Sequence, residues 1–213
     1  CGEMQKSGPE PKAKGVDVSV MSAPPIPRTL ALAEYGDIAV STIESRKSAD
    51  EYADTSIVAD DKLDEMFEFR RQKALGGEQA YIVCPRVEDS EGMELMSAKT
   101  VYEELTKGRF ADVSVGLVYG SMAEKRKTET MKLFSEGKIS VLVATGVVEV
   151  GVDCPGASAI AVLHADRFGL ASLHQLRGRV GRRSGMRSYC FLHAASGDAS
   201  RLEILEKECD GFR

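Results

Sequence analysis

From about residue 62 onward, short continuous apolar runs alternate with segments whose apolar positions recur every three or four residues. The runs are 79–84 (QAYIVC), 113–118, 139–144, 157–163 and 188–193. Each is short and apolar throughout, as expected of strands buried on both faces of a parallel sheet. Between them, 62–74 carries Leu63, Met66, Phe67 and Arg70 at helical spacing and closes on Gly76-Gly77. Residues 94–106 read as a helix closed near Gly108. Ser121-x-x-Glu124 has the form of a capping box, predicting a helix that carries Met122, Met131 and Phe134 and stops at Gly137. Residues 170–180 place Leu170, Leu173, Leu176 and Val180 on one helical stripe, and 199–209 read as a last helix with Leu202 and Leu205. This alternation predicts an α/β fold, a parallel sheet with helices on both faces and right-handed crossovers. Ligands of such sheets bind beyond the carboxyl ends of the strands, where the loop after Ala144 is expected to sit.

The first fifty residues differ. Residues 1–15 are polar with Gly, Pro and Lys and read as a loop or disordered lead-in. Residues 16–21 alternate apolar and polar like a strand, 22–27 (SAPPIP) break any regular element, and a helix can start at Arg28 behind Pro27. Residues 36–58 read as a connector with a strand or two. The 16–21 strand is expected to be an inner strand deprived of its sheet, and 1–50 the least well-ordered part.

Composition narrows the classes. With 213 residues, 43% apolar and 29% charged, the chain has the make-up of a soluble globular protein. No apolar run approaches the roughly 20 residues of a membrane-spanning helix, and no signal-peptide pattern opens the sequence. It begins on Cys1, as expected of a fragment or processed chain. Five scattered cysteines without C-x-x-C exclude a disulfide framework or zinc site, and Cys84 and Cys190 read as small core residues. The three histidines have no metal-ligand spacing. The net charge of −5 means that any polyanion must be held by a local basic patch. Arg177, Arg179, Arg182, Arg183 and Arg187 form one within eleven residues. Lys125-Arg126-Lys127 reads as a solvated helix face.

Residues 141–183 carry the candidate chemistry. Gln175, Arg179 and Arg182 are separated by four and three residues, which aligns them on one helical face or its immediate continuation. Gly178 and Gly181 lie between them, where backbone or ligand can come close. Paired guanidinium groups suit phosphate oxygens, although spacing alone fits a solvated charged face equally well.

The strings themselves go further. QLRGRVGR (175–182) resembles motif VI of superfamily 2 helicases, and 145–153 resembles their motif V, in the same order and at a matching interval. MSAPPIPRTLAL (21–32) resembles motif III of the RecG and Mfd translocase group, with Pro24 where that group carries threonine. VCPRVEDSE (83–91) resembles the RecG form of motif IV, and Glu149-Val-Gly-Val-Asp153 also favours RecG over Mfd. Asp210-Gly211-Phe212 resembles the stretch just ahead of the RecG translocation motif. Tyr119-Gly120, where the group has His-Gly, and Gly146 and Cys154 in motif V depart from the pattern. The chain thus resembles RecG-type superfamily 2 ATP-dependent DNA helicases.

That resemblance implies a RecA-like sheet, with 1–50 as the tail of a first motor domain and linker and 51–213 as the second motor domain. It implies that Arg179 and Arg182 act as arginine fingers on ATP with Gln175 organising the site, and that Gly151 and Asp153 lie near the ribose. It further implies that Thr145, Arg86 and Gly120 bind nucleic acid and that Glu149 holds the motif V loop. For Glu149 and Asp153, ordinary loop capping remains an alternative. ATP and Mg2+ are the implied cofactors. The sequence contains neither a G-x-x-x-x-G-K-[ST] phosphate loop nor a D-E-x-H box, so the magnesium ligands belong to the first motor domain. The implied function is the C-terminal motor half of a translocase on branched or double-stranded DNA, in recombination and repair, inactive as an ATPase alone. The implied partners are DNA and the first RecA-like domain of the same protein, with no membrane, in a monomeric, bacterial-type cytoplasmic, nucleoid-associated enzyme. Alternatives are a non-catalytic nucleic-acid-binding remnant, an Mfd-type fragment, or an unrelated doubly wound domain.

Overall fold

The computed structural model describes residues 53–85, 91–145, 154, 156–181, 187–194 and 200–207, without the side chains of 91–97. By its contacts the chain divides into Cys1–Thr42 and Ile43–Arg213, and every described residue belongs to the second unit. The expected strand at 16–21, the break at 22–27 and the helix after Pro27 lie outside the described residues.

Six strands form one sheet: β1 (Asp54–Val58), β2 (Gln79–Cys84), β3 (Val115–Val118), β4 (Val141–Thr145), β5 (Ala157–Val162) and β6 (Tyr189–His193). Their spatial order is β1-β6-β5-β2-β4-β3, and every pairing is parallel. The apolar runs behave as their composition demands. β2, β4 and β5 are buried along their whole length, and they occupy the middle of the sheet. β1, within the expected connector, forms one edge and exposes Asp54 and Ser56.

The period of two along each strand sorts side chains between two cores. Tyr81, Val83, Leu142, Ala144, Ile160 and Val162 face one side, and Ile82, Cys84, Val141, Val143 and Ala161 the other. The second side is covered by α1 (Leu63–Leu75), through Met66, Phe67 and Ala74, and by α2 (Glu91–Lys107), through Ala98 and Leu105. The first is covered by α3 (Glu124–Ser135), α4 (Leu170–Arg177) and α5 (Glu203–Lys207). α3 contributes Met131 and Phe134, α4 Leu173 and Leu176, and α5 Leu205. Burying one large side chain such as Phe134 contributes about 2–3 kcal/mol.

Helix ends follow the sequence in two places and depart from it in two. Gly77 and Gly137 close α1 and α3 at φ 88° and 75°, a backbone region open to glycine. The capping box does not form. α3 starts at Glu124 on an extended Ala123, with no side-chain cap, and Ser121 lies outside the helix. A tight turn, in which the Met122 N–H donates to the Tyr119 carbonyl at 3.1 Å, uses the residues the box would need. α4 ends at Arg177, three residues before the spacing predicts, because Gly178 caps it.

Candidate functional site: two edges of one sheet

Parallel topology decides where each candidate residue lies. β4 ends on Thr145, β3 leads into Tyr119-Gly120, and β2 leads into Pro85, directly ahead of Arg86 in sequence. Since β2, β4 and β3 are consecutive in the sheet, these strand ends share one carboxyl edge. Arg86 itself is outside the described residues. Gly120 is half-buried, and its carbonyl accepts the Lys127 ammonium at 3.2 Å. Thr145 is fully buried and its Oγ1 has no hydrogen-bond partner among the described residues. The structure therefore does not present this hydroxyl to solvent, where a DNA phosphate would meet it.

β4 and β5 run the same way, so residues 146–156 must carry the chain back from the carboxyl edge to the amino edge. Glu149, Gly151, Asp153 and the departing Gly146 are outside the described residues, but the end of that crossover is anchored. The Cys154 thiol donates to the Gln79 side-chain oxygen at 3.4 Å, and the Ala157 N–H donates to the Cys154 carbonyl at 3.0 Å. Gly156 is required here, since a Cβ would lie 2.6 Å from the same Gln79 oxygen. Gln79 opens β2, so this anchor lies at the amino edge. The Gln79 amide group also donates to the carbonyls of Phe134 at 2.5 Å and Ile139 at 2.8 Å. Thr145, where motif V begins, lies at the carboxyl end of β4, and Cys154, just past it, is anchored at the amino edge.

α4 is likewise a crossover. It starts behind Gly169 at the carboxyl end of β5 and runs back towards the start of β6. Leu173, Leu176 and Val180 are buried as predicted, Leu170 is half-buried, and Gln175 is exposed. Beyond the Gly178 cap, two further turns continue the backbone. The Arg179 N–H donates to Leu176 at 3.0 Å and the Val180 N–H to Arg177 at 3.4 Å, before Gly181 turns the chain at φ 77°. Arg179 is half-buried, and Arg182 is outside the described residues. Arg179 therefore lies on the amino-edge side of the sheet, away from Thr145 and Gly120. A five-residue strand separates these edges by about 17 Å.

The basic patch resolves into unlike members. Arg187 is exposed, pairs with Asp54 at 2.8 Å and lies 5.9 Å from the Tyr189 ring centroid. Arg177 is buried and donates to the Leu205 carbonyl at 2.8 Å, so it is not part of a solvent-facing patch. Its spacing carried the signal, four residues after Leu173 and three before Val180, on the buried stripe. Sequence reasoning also missed Gln79 and Arg201. Arg201 donates to the carbonyls of Asp166 at 2.7 Å and Phe168 at 2.8 Å. Lys125 and Arg126 are exposed on α3, as expected of a solvated face. Cys84 and Cys190 are buried core thiols, pushed up to about 12 by desolvation.

Residues 60–184, more than half of the chain, match the family model of the helicase conserved C-terminal domain. The chain belongs to this helicase family. Its parallel six-stranded sheet is the RecA-like sheet that the sequence predicts. It is 42% identical over 217 residues to ATP-dependent DNA helicase RecG of Thermotoga maritima, covering 100% of this chain and 27% of that protein. It is 43% identical over 208 residues to the protein of the same name from Treponema pallidum, covering 95% and 30%. The chain thus spans less than a third of the length of these helicase relatives. Among solved structures, RecG bound to a three-way DNA junction superposes with a TM-score of 0.72 at 40% identity, over 88% of this chain and 25% of that one. The C-terminal domain of the DEAD-box protein Dbp5 shares the fold at 17% identity, with a TM-score of 0.55 over 75% and 86%.

Proposed function

We propose that this chain is the C-terminal motor half of a RecG-like ATP-dependent translocase on double-stranded and branched DNA. In this reading 1–50 are the tail of the first motor domain and 51–213 the second. The observation that carries it is the 40% identity to RecG bound to a three-way DNA junction over 88% of the chain. In the nucleotide set, Gln175 and Arg179 lie on and just beyond the end of α4, and Arg182, Gly151 and Asp153 are assigned by the motifs they belong to. In the DNA set, Gly120 and Thr145 lie at the carboxyl edge, Thr145 with its hydroxyl buried and so contributing through the backbone there, and Arg86 is assigned by its motif.

The residues present suit the group they would meet. Half-buried Arg179 makes no ion pair among the described residues, so its guanidinium is available to an anion. When bound, ATP with Mg2+ would supply the phosphoryl group to be transferred and a cation to offset its charge. Arg179 and Arg182 neutralise charge on the terminal phosphates, Gln175 orients that end of the site, and Asp153 and Gly151 border the ribose. Without a phosphate loop the chain alone does not turn over ATP. The enzyme acts in recombination and repair, in a bacterial-type cytoplasm on the nucleoid, as a monomer without membrane contact.

The test is ATP turnover by the full-length protein with fork DNA. Arg182→Ala lowers turnover about 10³-fold or more while leaving DNA affinity and its salt dependence unchanged. Loss of DNA affinity with turnover intact at saturating DNA makes the arginines a DNA-binding face and overturns the assignment.

A further inference from the structure

We propose that Arg177 is a positioning residue for the nucleotide site, holding the arginine-bearing end of α4 in place through the segment that follows β6. The inference rests on the function proposed above. Arg177 lies in the last turn of α4, two residues before Arg179, with only 5% of its surface exposed. Its guanidinium donates to the backbone carbonyl of Leu205, in α5, at 2.8 Å.

The other end of α4 is held from the same segment. Arg201 spans the Asp166 and Phe168 carbonyls, in the turn just ahead of the Gly169 cap. Between these two clamps, Leu202 and Leu205 are buried in the same core as Leu173, Leu176 and Val180. Residues 201–205 therefore brace α4 from the turn before its start to its last turn. α4 cannot shift along this brace without breaking charge-assisted hydrogen bonds from both arginines.

A purely structural account explains this poorly. A methionine or leucine at 177 would fill the same buried stripe without the desolvation of a guanidinium, at the loss of one hydrogen bond to Leu205. What the guanidinium adds is direction. It fixes the last turn of α4 against one carbonyl, and the backbone reaches Arg179 through the two hydrogen-bonded turns that follow. Displacement of a catalytic group by about 1 Å can cost roughly 100-fold in rate.

The experiment uses the full-length protein with fork DNA and compares Arg177→Met, Arg182→Ala and the double variant. Arg177→Met is expected to lower kcat about 10- to 100-fold while KM for ATP and DNA affinity stay within about twofold, with the thermal midpoint falling by no more than the loss of one buried hydrogen bond, about 1–3 kcal/mol. The double variant is expected to be no slower than Arg182→Ala alone, because Arg177 acts through the finger. An unchanged kcat, a raised KM alone, or losses that multiply in the double variant would overturn the inference. If Arg177→Met does not fold, Arg201→Met carries the same expectation from the other clamp, and an unchanged kcat there overturns it. Arg182→Ala separates the two levels. If it keeps full turnover, the arginine-finger reading itself fails; if it loses turnover and Arg177→Met does not, only the positioning role fails.

Discussion

Replacing Arg70 by methionine should stabilise this fold. Arg70 lies on α1 with 1% of its surface exposed, and none of its three guanidinium nitrogens has a hydrogen-bond partner. Burial lowers its pKa from 12.5 to about 10, with Glu78 and Tyr189 opposing the fall only in part. Glu78 is engaged elsewhere, accepting from Lys73 at 3.0 Å and from the Ser158 hydroxyl at 2.5 Å. A fall of that size corresponds to about 3 kcal/mol against keeping the charge in place. The Phe69 ring, 5.9 Å from the guanidinium carbon, returns about 0.5–1 kcal/mol. Methionine keeps most of the buried stem and removes the charge, for a net gain of about 2 kcal/mol. For a domain of this size that is roughly 4–8 °C in Tm. A base with a lowered folded-state pKa destabilises the fold wherever it stays charged, and that penalty fades only as pH rises through the folded pKa. The gain should therefore be equal at pH 6 and pH 9. Thermal and urea unfolding of both proteins at those pH values would show it. A lower midpoint for Arg70→Met would refute the reasoning, because it would mean that the guanidinium has a partner outside the described residues.

Two further outcomes follow from buried polar groups. Gln79→Leu strands the Phe134 and Ile139 carbonyls and releases Cys154, so urea unfolding should show a loss of about 2–4 kcal/mol; a loss under about 0.5 kcal/mol would contradict it. Burial, then His193 and Arg167, lower the pKa of His164 against the smaller pull of Asp166 and Asp60. Its unfolded form takes up a proton first, so stability should fall as pH drops from 7.5 to 5.5 through its ordinary value of 6.5. His164→Asn, which tolerates the left-handed φ of 49°, should flatten that slope, and an unchanged slope would locate the titration elsewhere.

The elements and the site differ in how far sequence alone could reach them. β2, β4 and β5 were legible because a strand buried on both faces must be apolar throughout, and such a run tolerates few alternatives. α1 and α3 were legible for the related reason that one stripe must meet the sheet. Ser121 and Glu124 show where this reasoning stops. Their spacing permits a capping box, but a turn from Tyr119 to Met122 takes up Ser121, and α3 starts at Glu124 instead. Arg177 and Arg70 show a second limit. Both lie on buried stripes by helical spacing, yet charge suggests solvent, and only tertiary contact shows that Leu205 receives one guanidinium and nothing described receives the other.

The placement of the candidate site was a question of topology rather than of residues. A ligand at carboxyl strand ends is the rule for a single open sheet, and it led to the expectation that the loop after Ala144 sits at that edge. Parallel strands impose the opposite on any segment that joins two of them: it must begin at one edge and end at the other. Motif V begins where β4 ends, at the carboxyl edge, and motif VI begins at Gln175 in the second half of α4, the helix that leads from β5 towards β6. The motif letters are fixed by local chemistry, but the distance of a sheet's length between Thr145 and Arg179 comes from strand direction alone. Buried Arg177 and exposed Arg201 tie the helix that leads from β5 towards Arg179 to the segment after β6, so the position of Arg179 is set by tertiary contacts that no motif spells out.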